Sequence, residues 1–222
     1  MLENQVAIMP IQYFPTVEYL TKFIQFKTIL IESCDNYQKG SYRNRCYIAT
    51  SLGAIPLSIP LKKGKNNQQK IRDVAISYDM SWQKQHWQSI KTAYGSAPFW
   101  IYYAPIFEKF YQKEYPFLFD FNYEILACIL SILKIKKEIN LSITSTYEAQ
   151  NTCLPDRQAE FGVDFRNAFD LKNNTFVGQK YSQVFEDKVG FLPNLSALDL
   201  VMCCGNQSME VLRKNETTDL TV

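Results

Sequence analysis

Short runs of apolar residues alternate with stretches of helical spacing along the first third of the chain. Val6-Ala7-Ile8-Met9 is a continuous apolar run suited to a buried strand, and Pro10 ends it. Thr16 is placed to cap a helix in which Val17, Leu20, Phe23 and Ile24 share a face. Thr28-Ile29-Leu30-Ile31 is a second strand-like run, so the opening reads as a βαβ unit with a parallel pair. Tyr37 to Thr50 is polar, aromatic and basic, a loop leading into a strand near Cys46 to Ala49. Ser51-Leu52-Gly53 predicts a hairpin turn, and the prolines in Ala54 to Leu61 put the following strand at an edge. Lys62 to Asn67 reads as a basic loop, and Ile71 to Ile76 as another short strand.

Beyond Asp79 the period changes. Ser81 can cap a helix carrying Trp82, His86, Trp87, Ile90 and Tyr94, which Ala97-Pro98 breaks. Further helices are expected from about Trp100 to Tyr111, from Leu118 to Leu133 and from Ser196 to Cys203, with a strand over Ile139 to Ile143. Asn151 to Asn174 reads as mostly irregular, with Asp164-Phe165-Arg166 near its centre. The fold class is α/β: a small mixed or parallel sheet opening with a βαβ unit, plus a helical aromatic-rich subdomain. Residues 1–212 form the expected domain and 213–222 a polar, frayed tail.

Composition changes this picture in two ways. The chain has 222 residues and a formal net charge of only +2, which gives it no general attraction to nucleic acid, and no nucleic-acid-binding motif is present. Yet ten Lys/Arg lie between Tyr37 and Lys91 against two acids, Asp73 and Asp79, while the remainder carries a net charge of −6. A solvated basic face and an anion-binding site both account for such an island. The six cysteines lack C-x-x-C spacing, and His86 is the only histidine, so no metal site is expected and the thiols are read as free. No apolar run is long enough to span a membrane and no signal peptide is recognisable, so the expected location is cytoplasmic.

Candidate chemistry concentrates in the basic island. Arg43, Asn44 and Arg45 follow Lys39 and lie beside Tyr37 and Tyr42; guanidinium forks suit phosphate oxygens, and tyrosine rings suit a base or sugar. In an extended segment Arg43 and Arg45 would share one face. Lys62, Lys63 and Lys65 surround Gly64 in a loop able to close on phosphate. His86 is the natural general base, against the alternative of a packed core histidine. At the turn after the first strand, the helix N–H groups suit phosphate. A Tyr-Phe-Pro knot closing the core is the competing reading there.

Three stretches resemble the WbqC-like family: Tyr13-Phe14-Pro15 with Tyr19 and Lys22; Tyr37 to Arg45 followed by Ile59 to Gly64; and Trp82 to Ile90 followed by Tyr94 and Ala97-Pro98. The run Gln183 to Lys188 with Gly190-Phe191 and Pro193 to Leu200 is similar to the ending of Bacteroidetes-type members. Many relatives have Gln-Pro where this chain has Pro10 and Ile11, and glycine in place of Glu18. The resemblance implies a role in surface-polysaccharide (O-antigen-type) biosynthesis, making or decorating an amino sugar by acyl or aminoacyl (glycine-type) transfer; taken with the basic island, it points to an enzyme that modifies a nucleotide-linked amino sugar. Its site would hold His86 as base, with Tyr13, Tyr37, Lys39, Tyr42, Arg43, Asn44, Arg45, Lys62 and Lys63 on the substrate and no cofactor. The alternative is a non-catalytic adaptor in a biosynthetic complex, with contacts around Trp100, Tyr102 and Tyr103.

Overall fold

In the computed structural model, which describes residues 2–64, 69–147, 162–171 and 175–216, the first apolar run lengthens into strand β1 (Leu2–Pro10). Helix α1 (Val17–Gln25) follows, capped by Thr16, whose hydroxyl accepts from the Tyr19 N–H, and passes directly into β2 (Phe26–Glu32). The expected βαβ unit is therefore present, with β1 and β2 parallel. Two later strands complete a four-stranded parallel sheet in the order β5-β2-β1-β6: β5 (Asn140–Ile143) pairs with β2, and β6 (Gly162–Asp164) pairs with β1. Alternation of side chains sorts the central strands between two faces. Ala7, Met9, Ile29 and Ile31 point into the main core, whereas Val6, Ile8 and Leu30 form a separate buried cluster.

The hairpin is separate from this sheet. β3 (Arg45–Thr50) and β4 (Gly53–Ser58) pair antiparallel through the two-residue Ser51-Leu52 turn, and Gly53 takes the positive φ of 108° that the turn requires. Helices α2 (Trp82–Tyr94), α3 (Trp100–Glu108) and α4 (Leu118–Ile132) build the aromatic cluster, with Phe107, Phe121 and Tyr94 fully enclosed. A four-residue helix, α5 (Glu186–Val189), precedes α6 (Ala197–Cys204) and α7 (Ser208–Glu216).

Three expectations change. Ile71 to Ile76 is not a continuous strand: Ile71–Asp73 is one turn of 3-10 helix, with Ile71 and Val74 buried at the spacing of three that suits such a turn, and only Ala75 and Ile76 make isolated antiparallel bridges, to Phe117 and Leu61. Within the stretch expected to be mostly irregular, Gly162–Asp164 is the fourth strand of the sheet, while 165–171 carry no helix or strand. The chain after Leu212 continues as helix through Glu216, where Asn215 is 2% exposed and bonds the Val211 carbonyl. Residues 217–222, and Cys153 and Lys65, lie outside the described residues. Cys34, Cys46 and Cys204 are buried free thiols, as expected, and Cys128 and Cys203 are free and half-buried.

Candidate functional site at the carboxyl edge of the sheet

The strand order determines where a site can form. The chain lays down β1, β2 and β5 in one direction across the sheet and then returns to the other side of β1 for β6. In open parallel sheets the carboxyl ends of the strands are where ligands bind. At this edge β2 ends in Glu32, followed by Ser33, Cys34 and Asp35; β6 ends in Asp164, followed by Arg166; and β5 leads to Thr144.

These residues form one connected polar cluster. The Arg166 guanidinium bonds both carboxylate oxygens of Asp164, at 2.9 and 2.7 Å, and reaches Glu32 Oε2 at 3.3 Å. Glu32 is 1% exposed, and its Oε1 accepts from the Cys34 N–H at 2.7 Å and the Thr144 hydroxyl at 2.8 Å. The Asp164 hydrogen bonds hold the Arg166 pKa above its ordinary value, and the guanidinium stacks 4.6 Å from the Tyr147 ring. A buried charge at such a position is tolerated only when paired and hydrogen-bonded, which this cluster achieves.

The Tyr37 to Arg45 loop closes over the same edge. Arg43 is 4% exposed and its two terminal nitrogens donate to Asp35 Oδ2 and Gln38 Oε1, each at 3.0 Å. Burial lowers its pKa, while Asp35 opposes the shift. The Gln38 amide in turn donates to Asn167 Oδ1 at 2.7 Å, linking this loop to the chain after β6. The expectation that Arg43 and Arg45 share one face toward a ligand is corrected here. Arg43 turns inward to Asp35, whereas Arg45 opens β3 and donates from Nε to Ser58 Oγ at 2.9 Å. Asn44 between them accepts from the Tyr37 hydroxyl and donates to the Ile59 carbonyl, both at 2.9 Å. Tyr42 is 6% exposed, and burial, assisted by Glu18, pushes its pKa up to about 12.

The basic island is held together by main-chain bonds. Tyr37 N–H donates to Gln69, Ile71 to Asp35, Ile59 to Asn44 and Lys62 to Ala75. The segments carrying Lys39, Arg72, Lys62 and Lys63 are thereby joined, and all four side chains are exposed. Arg72 Nη1 lies 3.6 Å from the Cys34 sulfur at the end of β2.

The helix N-terminus after β1 does not present its amides to a ligand. Val17 N–H bonds the Leu195 carbonyl, Glu18 N–H bonds Asn194 Oδ1, and Tyr19 N–H bonds the Thr16 hydroxyl. Asn194 also donates to Glu18 Oε2, and Ala197 N–H bonds the Pro15 carbonyl, so the segment before α6 closes the turn. The core-closing knot is the reading that this geometry supports. Gln12 is 2% exposed; its Oε1 accepts from Thr16 N–H, while its Nε2 has no hydrogen-bond partner among the described residues.

His86 and Tyr13 sit within the aromatic cluster. His86 Nδ1 is 3.0 Å from the Tyr13 hydroxyl, which is 2.7 Å from the Tyr111 hydroxyl, and Trp82 packs edge-on against the ring. Burial pulls the His86 pKa down to about 4, with a hydrogen bond donated by the ring to the Ser58 backbone carbonyl opposing it. The neutral ring then accepts at Nδ1 and keeps its proton on Nε2. Such an imidazole is a weak base that positions Tyr13. Tyr13 N–H in turn bonds the Tyr42 carbonyl of the loop.

A model of the WbqC-like protein family matches residues 11–168. The chain belongs to the WbqC-like protein family. Every residue of the sheet-edge cluster lies inside the matched region of this WbqC-like chain, whereas the Asn194 to Ala197 clamp lies beyond it. No curated protein and no solved structure matches the chain. Membership of the WbqC-like family is consistent with a role related to polysaccharide biosynthesis. Among the described residues no helix is long and apolar enough to cross a membrane.

Glu32, Asp35, Asp164 and Arg166 are the members of this edge that the sequence reading did not select. The only local signal was the charged pair flanking Phe165, and strand β6 has just three residues to announce it.

Proposed function

We propose that this protein is a cytoplasmic enzyme of surface-polysaccharide biosynthesis that binds a nucleotide-linked amino sugar at the carboxyl edge of its parallel sheet and directs acyl or aminoacyl transfer to it. The observation that carries this reading is the cluster of Glu32, Asp35, Asp164, Arg43 and Arg166 gathered from two strand ends and the loop above them. In this reading Arg43 and Arg166 are struts that hold the carboxylates. Exposed Lys39, Lys63 and Arg72, with Lys62 and Arg45, meet the diphosphate, and Tyr37 and Asn44 fix the loop that bears them. Asp35 and Asp164, each partly exposed, orient the acceptor amine. As the N–C bond forms, the amine loses its proton to carboxylate or solvent and the leaving group departs with the bonding pair. His86 holds Tyr13, and through it the Tyr42 backbone.

The test is a thermal-shift panel of UDP-, GDP- and dTDP-linked sugars with the purified chain. A rise in Tm with at least one, lost in Arg72→Ala with Lys63→Ala, is expected. No shift with any member overturns the reading. One observation favours a non-catalytic adaptor instead: on α3, Ile101 is 80% and Tyr102 70% exposed. Ile101→Asp with Tyr102→Ser would then abolish partner capture and leave nucleotide-sugar binding unchanged.

A further inference from the structure

A groove of about 690 Å³ runs between α2 and the β3–β4 hairpin and shares no lining residue with the sheet edge. From Ser81 to Ala93 its helical wall extends ~18 Å at 1.5 Å rise per residue. Ser81, Lys84, Gln85, Gln88, Ser89 and Thr92 form that wall, and their spacing of three and four places them on one face of the helix. The opposite wall carries Thr50 and Ser51, and Ile55, Ala93 and Phe185 supply the apolar surface.

The chemistry of the lining selects the occupant. Among the described residues Lys84 is the one charged member of the lining and no carboxylate lines it, so neither a polyanion nor a cation is favoured. The Ser89 and Thr92 hydroxyls donate back to the Gln85 and Gln88 carbonyls, each at 2.9 Å, so they offer acceptor lone pairs outward. The exposed Gln85 and Gln88 side-chain amides have no hydrogen bond among the described residues, leaving both a donor and an acceptor on each. Paired donors and acceptors over a long polar wall, with an aromatic ring at its margin, match a chain of hydroxyl groups with apolar C–H faces between them.

We propose that this groove binds a neutral oligosaccharide. The site complements the sheet edge: one takes a nucleotide-linked sugar, the other a glycan chain. It rests on the polysaccharide reading above for its biological sense, but its chemistry is independent.

The experiment is amide chemical-shift mapping of the full chain with maltotriose, isomaltotriose and triacetylchitotriose at millimolar concentration, alongside UDP-N-acetylglucosamine. At least one trisaccharide is expected to shift amides of Thr50 to Ile55 and Ser81 to Ala93 and to leave Glu32 to Arg45 unmoved. Gln85→Ala with Gln88→Ala should weaken that binding about tenfold through lost hydrogen bonds, without loss of folding because alanine favours the helix. Lys91→Ala, on α2 outside the groove, should bind as the native chain does. No groove shift with any trisaccharide, shifts confined to the sheet edge, or unchanged affinity in the glutamine variant each overturn the proposal. Groove binding without a response to the nucleotide sugar would count against the sheet-edge reading alone.

Discussion

Replacing His86 with glutamine separates a core histidine from a catalytic base, because this is the only imidazole in the chain. Burial takes the group from an ordinary 6.5 to about 4 in the folded state. A group whose folded pKa is depressed binds more protons when unfolded between those two values. Its contribution is therefore intact above pH 6.5 and is lost as pH falls toward 4. A shift of this size corresponds to about 3 kcal/mol, fully lost only below pH 4. Glutamine can still bond the Tyr13 hydroxyl but does not titrate. Urea denaturation followed by tryptophan fluorescence between pH 7.5 and about 4 should show the native chain losing up to ~3 kcal/mol more than the variant over this interval. NMR of the single imidazole should give a midpoint well below 6. A midpoint at or above 6, or parallel stability profiles, would refute the enclosed, hydrogen-bonded histidine and restore it as a base.

Two further outcomes follow from buried charge. Arg166→Met leaves Glu32 in the interior without its guanidinium, and loss of one partner of a buried pair should cost about 3–5 kcal/mol by urea denaturation; a loss under about 1 kcal/mol would show that the cluster is not a strut. Asp199 is fully buried, and desolvation raises its carboxyl to about 6 against the hydrogen bonds of Tyr181 and Gln183. The folded state here binds the extra proton, so stability falls as pH rises from about 4 to 6, opposite in sign to His86. Asp199→Asn should match the native chain near pH 4 and exceed it at pH 7 by up to ~3 kcal/mol, and a variant less stable at pH 7 would contradict this.

The sequence made the βαβ opening legible because both central strands are buried on two faces and so read as unbroken apolar runs. The hairpin was legible from its turn, and α2 and α4 from their period. Strand β6 was not, since three residues beside a long β1 need no hydrophobic run of their own. The site suffered more. Glu32 follows an apolar run and looks like a surface terminator, yet its partner Arg166 lies 134 residues away. Arg43 looks like a free guanidinium until the fold brings Asp35 and Gln38 against it. His86 resembles a lone reactive imidazole because Tyr13, 73 residues distant, is what encloses it. The basic island, by contrast, was visible from composition, because local charge density needs no tertiary contact.

The central claim, a nucleotide-sugar site at the carboxyl edge of the parallel sheet, is tested most directly by mapping amide shifts on titration with UDP-, GDP- and dTDP-linked sugars. The account predicts that at least one moves Cys34 to Arg45, Lys62 to Gly64 and Asp164 to Asn167 together. Saturating additions that leave all three segments unmoved would contradict it.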